Sequence, residues 1–132
     1  MRDKITEKLE EWQNSQQDIP KDQRRIFYGQ KPSHVTIEDW NYIVFGMEDI
    51  DKSGNNSMDL SRYFFVDIIR ENFISDEVIF GIINAMEEIP GMKLVKGSNP
   101  VDYVTKGNTD IVCEMIRLRF IRPMKRININ NG

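Results

Sequence analysis

Half of a calcium-binding loop occurs near the middle of the chain. The stretch DIDKSGNNSMDL, residues 49–60, places Asp49, Asp51 and Ser53 at the first three ligand positions of an EF-hand loop, with Gly54 at its glycine position. Carboxylate and hydroxyl oxygens in this alternation are ligands that Ca²⁺ prefers. The first half of the stretch therefore has the chemistry of a cation site.

The second half of the loop argues against that site. The last position, where an EF-hand carries a bidentate glutamate, is Leu60, and the usual β-branched position is Asn56. An EF-hand also lies between two helices, whereas the flanking stretches WNYIVF and RYFFVDII favour strands. We therefore predict a polar hairpin loop over residues 49–60 and no metal ligands, with a divalent-metal binder as an alternative.

No other motif in the sequence suggests catalysis. The single cysteine, Cys113, lies in an apolar stretch typical of a buried strand, and the single histidine, His34, lies in the polar stretch GQKPSHVT. Nothing in the sequence links the two as a nucleophile and its base. Phosphate-binding glycine loops, Cys/His metal spacings and serine elbows are absent from the sequence. We predict no enzymatic activity and no cofactor.

The composition indicates one domain with a core of its own. The chain has 132 residues, of which 39% are hydrophobic and 30% charged, and its net charge is −3. Interleaved acidic and basic residues disfavour a dedicated DNA-binding module. No apolar run approaches the roughly 20 residues of a membrane helix, and the start, MRDKITEKLEEWQ, lacks the apolar core of a signal peptide. We expect a protein that is made or assembled in a cytoplasm.

Two helices must flank the strands. Residues 1–17 contain an amphipathic N-terminal helix with apolar residues at Ile5, Leu9 and Trp12. This stripe is thin, so we expect the helix to lie on the surface rather than in the core. The stretch SDEVIFGIINAMEEIPG, with Ser75 or the following aspartate as N-cap, has a longer apolar stripe. We expect this second helix to cover the sheet.

Six stretches rich in β-branched and aromatic residues predict strands: RRIFY, DWNYIVFGME, SRYFFVDIIREN, MKLVK, VDYVTK and IVCEMIRLRFIRP. The third has apolar residues on both faces, which suits a helix on one side and a partner on the other. The predicted fold class is α+β, with a mainly antiparallel sheet covered by one central helix. The predicted domain spans residues 1–122, and residues 123–132 form a flexible tail.

Positive charge concentrates on the last strand. Arg117 and Arg119 alternate there with apolar residues, so they form a row that faces away from the core. We expect the row to continue to Arg122. With Tyr103 and Lys106 from the preceding strand, these arginines form a candidate subunit or tube interface. A solvated strand face is the alternative interpretation.

The element order and several strings resemble the small tail-terminator, or tail-completion, proteins of long-tailed bacteriophages. The strings are KITEKLEEW, SRYFFVDIIREN, DEVIFGIINAMEEIPGM and KLVKGSNPVDYVTKGNTDIVCEMIRLRFIRP. The resemblance covers most of residues 40–123, and more loosely the first helix. It consists of element order and hydrophobicity, and no catalytic motif accompanies it.

The resemblance implies a structural virion protein located in the phage tail or neck. Copies would form a hexameric ring that caps the head-proximal end of the tail tube, stops tube growth and joins the tail to the head connector. The implied partners are further copies, the tail-tube protein and the connector or stopper protein, with no membrane. DNA would pass through the ring without sequence-specific binding.

In such a ring the polar hairpin loop would line the channel or touch the next ring. Carboxylates that face the channel would repel DNA and help it to slide. The candidate residues for this role are Asp49, Asp51, Lys52, Asn55, Asn56 and Asp59. Two other functions stay open: another head–tail joining protein of the neck, and a small regulatory or ligand-binding α+β domain.

Overall fold

A computed structural model describes residues 1–16, 25–31, 40–51, 59–71, 73–97 and 99–125. Within these ranges the chain forms two helices and six strands, which confirms the α+β class. The elements are α1 (Arg2–Asn14), β1 (Arg25–Tyr28), β2 (Tyr42–Asp51), β3 (Asp59–Glu71), α2 (Asp76–Glu87), β4 (Lys93–Leu94), β5 (Val101–Thr105) and β6 (Val112–Lys125). Neither described helix is long and apolar enough to cross a membrane.

The strands form a single, mostly antiparallel sheet. Its order is β1-β2-β3-β6-β4, and β5 also pairs with β6. Only the β1–β2 pair is parallel among the described strands. The long β3–β6 ladder runs from Asp59 opposite Lys125 to Glu71 opposite Cys113. Strand β5 pairs with β6 at the Cys113 end of this ladder, and β4 pairs towards the other end.

Both helices pack on one face of the sheet, which corrects the predicted single covering helix. Ile5 and Leu9 of α1 are fully buried in the same core cluster as Val78, Ile82 and Met86 of α2. The expectation that α1 lies outside the core is therefore wrong. Two apolar residues one helical turn apart suffice, because α1 packs beside α2 and shares the covering of the sheet.

Local signals explain where α2 begins and how it fits against α1. The Ser75 hydroxyl accepts a hydrogen bond from the Val78 amide at 3.3 Å, so Ser75 is the predicted N-cap. The turn after the helix contains Gly91 at a φ of 83°, a conformation that costs glycine little. Gly81 leaves space for the Trp12 ring, because a Cβ at this position would lie 2.9 Å from Trp12 Cε2.

The opposite face of the sheet also has a buried apolar cluster, as the alternation in β3 predicts. It is formed by Val44, Phe65, Ile69 and Cys113. Within the described residues both helices belong to the other face, so aromatic side chains flank this cluster instead. The confirmed two-sided apolar pattern therefore reflects one face under helices and one face that is only partly covered.

Two predicted boundaries shift at the end of the sheet that carries the polar hairpin. Strand β6 continues to Lys125, and Pro123 pairs with Ser61, so the predicted tail from residue 123 begins too early. The predicted loop is also shorter, because Asp49 belongs to β2 and Leu60 to β3. Both predicted boundaries are off because the strands stay paired further, to Asp51 opposite Ser61 and to Asp59 opposite Lys125. Residues 52–58 lie outside the described part of the chain.

Candidate functional site

An ion-pair network lies across the face of the sheet opposite the helices. Arg117 donates from Nε to Asp67 Oδ1 at 2.7 Å and from Nη2 to Asp67 Oδ2 at 2.8 Å. Its Nη1 also reaches Glu48 Oε2 at 3.4 Å, and Arg119 Nε donates to Glu48 Oε1 at 2.6 Å. The β3–β6 register creates the first pair, since Asp67 lies directly opposite Arg117.

Aromatic rings complete the surroundings of this network. The Arg117 guanidinium carbon lies 4.1 Å from the Phe65 ring centroid, and that of Arg119 lies 5.8 Å from the Tyr63 centroid. The hydrogen bond to Asp67 is the main reason that the pKa of Arg117 is raised. Both guanidiniums thus have acceptors within the chain. Their assignment to a subunit or tube interface stays a prediction.

Arg122 does not continue the arginine row. Side chains alternate along a strand, so Arg122 shares the helix-covered face with Phe120, whereas Arg117 and Arg119 lie on the other face. Arg122 Nε donates to the Pro90 carbonyl oxygen at 2.9 Å in the turn after α2. This bond attaches the end of α2 to the sheet. The expectation that the row continues to Arg122 is wrong, because residues an odd number of positions apart, such as 119 and 122, lie on opposite faces of a strand.

Lys106 forms a second polar junction, at the opposite end of β6. Its Nζ lies 2.6 Å from Glu71 Oε1, which also accepts a hydrogen bond from the Trp40 amide at 3.0 Å. The hydrogen bond from Lys106, followed by that from Trp40, lowers the pKa of the Glu71 carboxyl. The junction connects the β5–β6 hairpin to the start of β2, which gives Lys106 a structural role. Its place in a subunit or tube interface stays a prediction.

The outer edge of β5 is an exposed surface that we call the β5 edge. Tyr103 is 65% exposed, Val101 45% and Val104 36%. Strand β5 pairs with β6, and no other strand among the described residues pairs with it. The Lys106 amide donates to the Ile111 carbonyl at 2.9 Å. Because antiparallel hydrogen bonding alternates, the backbone groups of Val101, Tyr103 and Thr105 point away from β6.

The expected absence of metal ligands in the polar loop stays a prediction. No group of three or more His, Cys, Asp or Glu residues that could hold a metal ion occurs among the described residues. The outcome for the loop itself is open, because several predicted members lie outside the described residues or side chains: Asp51, Lys52, Ser53, Asn55, Asn56 and Asp59. His34 also lies outside them. Asp49 Oδ1 accepts a hydrogen bond from the neighbouring Ile50 amide at 2.8 Å.

Cys113 is fully buried in β6, as its apolar surroundings predict. Burial is the main cause that raises the pKa of its thiol. A raised pKa reduces the fraction of reactive thiolate at neutral pH. Cys113 therefore has the environment of a packing residue rather than that of an activated nucleophile.

A cavity of about 180 Å³ lies between the start of α1 and the sheet. We call it the arginine pocket, because Arg2 and Arg62 line it together with aromatic residues that include Tyr28, Phe45 and Phe64. The pocket was not predictable from the sequence. Its residues are distant along the chain, and each has an ordinary position in a helix or strand, so no local pattern marks them.

A scan against models of known protein families finds no match, and neither does a comparison with curated protein sequences. The fold and surfaces define a small α+β protein that has an open sheet edge, an internally paired charge network and a cation-lined pocket.

Proposed function

We propose that the protein is a structural virion protein that forms a ring at the head-proximal end of a phage tail tube. In this role it ends tube growth and joins the tail to the head connector. The observation that best supports the proposal is the β5 edge. It combines outward-facing backbone groups with the exposed side chains of Tyr103, Val101 and Val104. An unpaired strand edge is a template for pairing with another chain, and exposed apolar surface favours such contacts.

The position of the β5 edge suits a ring that also contacts other proteins. Strand β5 pairs with one end of β6, opposite Val112–Ile116, and the β2–β3 hairpin lies at the Lys125 end. Thirteen steps along β6, at about 3.3 Å each, separate these ends by about 40 Å. One end is thus available for subunit contacts, and the other for the channel or the next ring. Contacts between two different surfaces of neighbouring copies form a ring when the rotation from one copy to the next closes.

Tube binding and oligomeric mass test the proposal. We expect wild-type protein mixed with tail-tube protein to form terminal rings in electron micrographs, and light scattering to report a mass of about six copies for an isolated ring. Tyr103→Lys places a charge on the β5 edge and should abolish rings. Phe80→Lys is the matched control, because Phe80 of α2 is 63% exposed, close to the 65% of Tyr103.

The tube assay is decisive, because a ring of this kind can also form only on contact with the tube. A wild-type protein that stays monomeric and leaves tube ends bare would refute the proposal. Equal loss of rings in Tyr103→Lys and Phe80→Lys would exclude the β5 edge as the specific contact. A ring that binds the connector and not the tube would indicate another neck protein.

A small ligand-binding domain is a second candidate function. The arginine pocket favours it, because the cavity combines cationic groups with aromatic walls. Pockets that bind small molecules typically have mostly apolar linings with a few oriented polar groups.

A further inference from the structure

The arginine pocket has the size and lining of a binding site for a compact ligand. Its volume is about 180 Å³, and an engineered apolar cavity of roughly 150 Å³ accommodates benzene. Ile5, Phe45 and Phe64 contribute apolar surface, and Arg2 and Arg62 contribute positive charge. No carboxylate occurs among the described residues that line it. A ligand that complements this lining has an apolar body and a negative charge.

Arg62 has a buried donor that no described residue satisfies. Its Nε is buried and has no hydrogen-bond partner within the described part of the chain. The two residues directly opposite Arg62 on the adjacent strands, Ile50 and Arg122, have no side-chain acceptor to offer it. A buried N–H without an acceptor destabilises the folded protein. An external acceptor in the pocket would remove this cost only if the Arg62 guanidinium turned Nε towards the cavity that it lines.

The three arginines of β6 differ from Arg62 in their partners. Arg117 donates to Asp67 on the adjacent strand β3, Arg119 donates to Glu48 on β2, and Arg122 donates to the Pro90 carbonyl. The charge of Arg62 is, in contrast, opposed by no ion pair among the described residues. The guanidinium of Arg2 adds to this positive charge at the pocket, where it lies 4.4 Å from the Tyr28 ring centroid. An anion would be attracted to both groups.

We propose that the arginine pocket binds a carboxylate attached to a compact apolar or aromatic group. The planar guanidinium of Arg62 matches a carboxylate, and the rings of Phe45 and Phe64 would contact the apolar group. The carboxylate belongs either to a free small acid or to the C-terminal residue of another protein chain. This site does not depend on ring formation by the β5 edge.

Titrations followed by NMR test the site with three probes on the whole chain. Benzoate represents a free acid, N-acetylphenylalanine represents a chain end, and benzamide is the neutral counterpart of benzoate. We expect saturable shifts at pocket residues with a carboxylate probe and at least about tenfold weaker binding of benzamide. Tighter binding of N-acetylphenylalanine than of benzoate would identify a chain end, and the reverse order a free acid. Both orders support the site.

Variants separate the pocket from general charge effects. Arg62→Gln should weaken binding of the carboxylate probes about tenfold or more, whereas Arg25→Gln should not, because Arg25 is an exposed arginine outside the pocket. Met47→Glu places a competing carboxylate beside the cavity from a residue that is 46% exposed. It should also reduce binding, and it tests the site independently if Arg62→Gln fails to fold.

Three results would overturn the proposal. The first is equal affinity for benzoate and benzamide, since the charge would then be irrelevant. The second is tighter binding of inorganic phosphate than of either carboxylate. The third is the absence of saturable binding by any probe at millimolar concentration.

Discussion

The role of each arginine depends on the residue that the adjacent strand places beside it. Arg117 lies opposite Asp67 and is held by two short hydrogen bonds, whereas Arg62 lies opposite Arg122 and its Nε has no partner among the described residues. Alternation along β6 predicts which face carries Arg117. It does not predict the carboxylate that neutralises Arg117, because that partner depends on strand register. For the same reason the arginine pocket could not be inferred from sequence.

The pH dependence of stability should reveal the contribution of Glu71. Its pKa in the folded protein is lowered, first by Lys106 and then by the Trp40 amide. A lowered pKa adds stability above the unfolded value, about 4.3 for Glu, and this stability is lost as the pH falls through the folded pKa. Glu71→Gln should therefore be about 1 kcal/mol less stable at pH 7, and its stability should converge with that of wild type in acid.

Urea unfolding at a series of pH values from neutral to acidic measures this difference. Glu10→Gln is the control, because Glu10 is an exposed residue of α1 with no ion pair among the described residues. Parallel curves for wild type and Glu71→Gln would show that the Lys106 junction adds no pH-dependent stability.

Hydrophobic periodicity predicts most of the helices and strands that the structure contains. The apolar stripe and cap of α2, the two-faced pattern of β3 and the alternation in β6 all correspond to observed elements. The burial of α1 was not predictable from its thin stripe, since burial depends on the neighbouring helix. Gly81 is the residue of α2 that reflects the close packing of α1. A glycine in the middle of a helix costs about 1 kcal/mol relative to alanine, and here it leaves space for Trp12.

Gly81→Ala should destabilise the protein despite its better helix propensity. The added Cβ would overlap the Trp12 indole, so α1 would have to move from α2. We expect a net loss of about 1–3 kcal/mol in the free energy of unfolding, as is usual for overpacking. Asn84→Ala, at an exposed position of the same helix, should change stability by less than about 0.5 kcal/mol.

A double variant isolates the contact between the helices. In a Trp12→Leu background the indole is absent, so Gly81→Ala should become neutral or stabilising. Urea unfolding of the two single variants and the double variant gives the coupling free energy. Additive effects would contradict the explanation of Gly81 by Trp12.

The order of the strands in the sheet determines which surfaces are available for binding. Sequence patterns predict each strand, but they do not predict that β4 and β5 pair with the same side of β6. That arrangement requires pairing between distant segments, and it is what leaves the β5 edge exposed. It also places the β5 edge at the opposite end of β6 from the polar hairpin. An assembly that uses both surfaces therefore makes its contacts at opposite ends of β6.

A proline substitution tests whether assembly uses the backbone of the β5 edge. Thr105 directs its amide away from β6, so Thr105→Pro removes an outward donor and leaves the β5–β6 ladder intact. Val104 directs its amide towards β6, so Val104→Pro should reduce stability by about 1–3 kcal/mol. We expect Thr105→Pro to remain folded and to lose ring formation at tube ends. If it forms rings as efficiently as wild type, neighbouring copies contact each other through Tyr103 or another side chain rather than through strand pairing at Thr105.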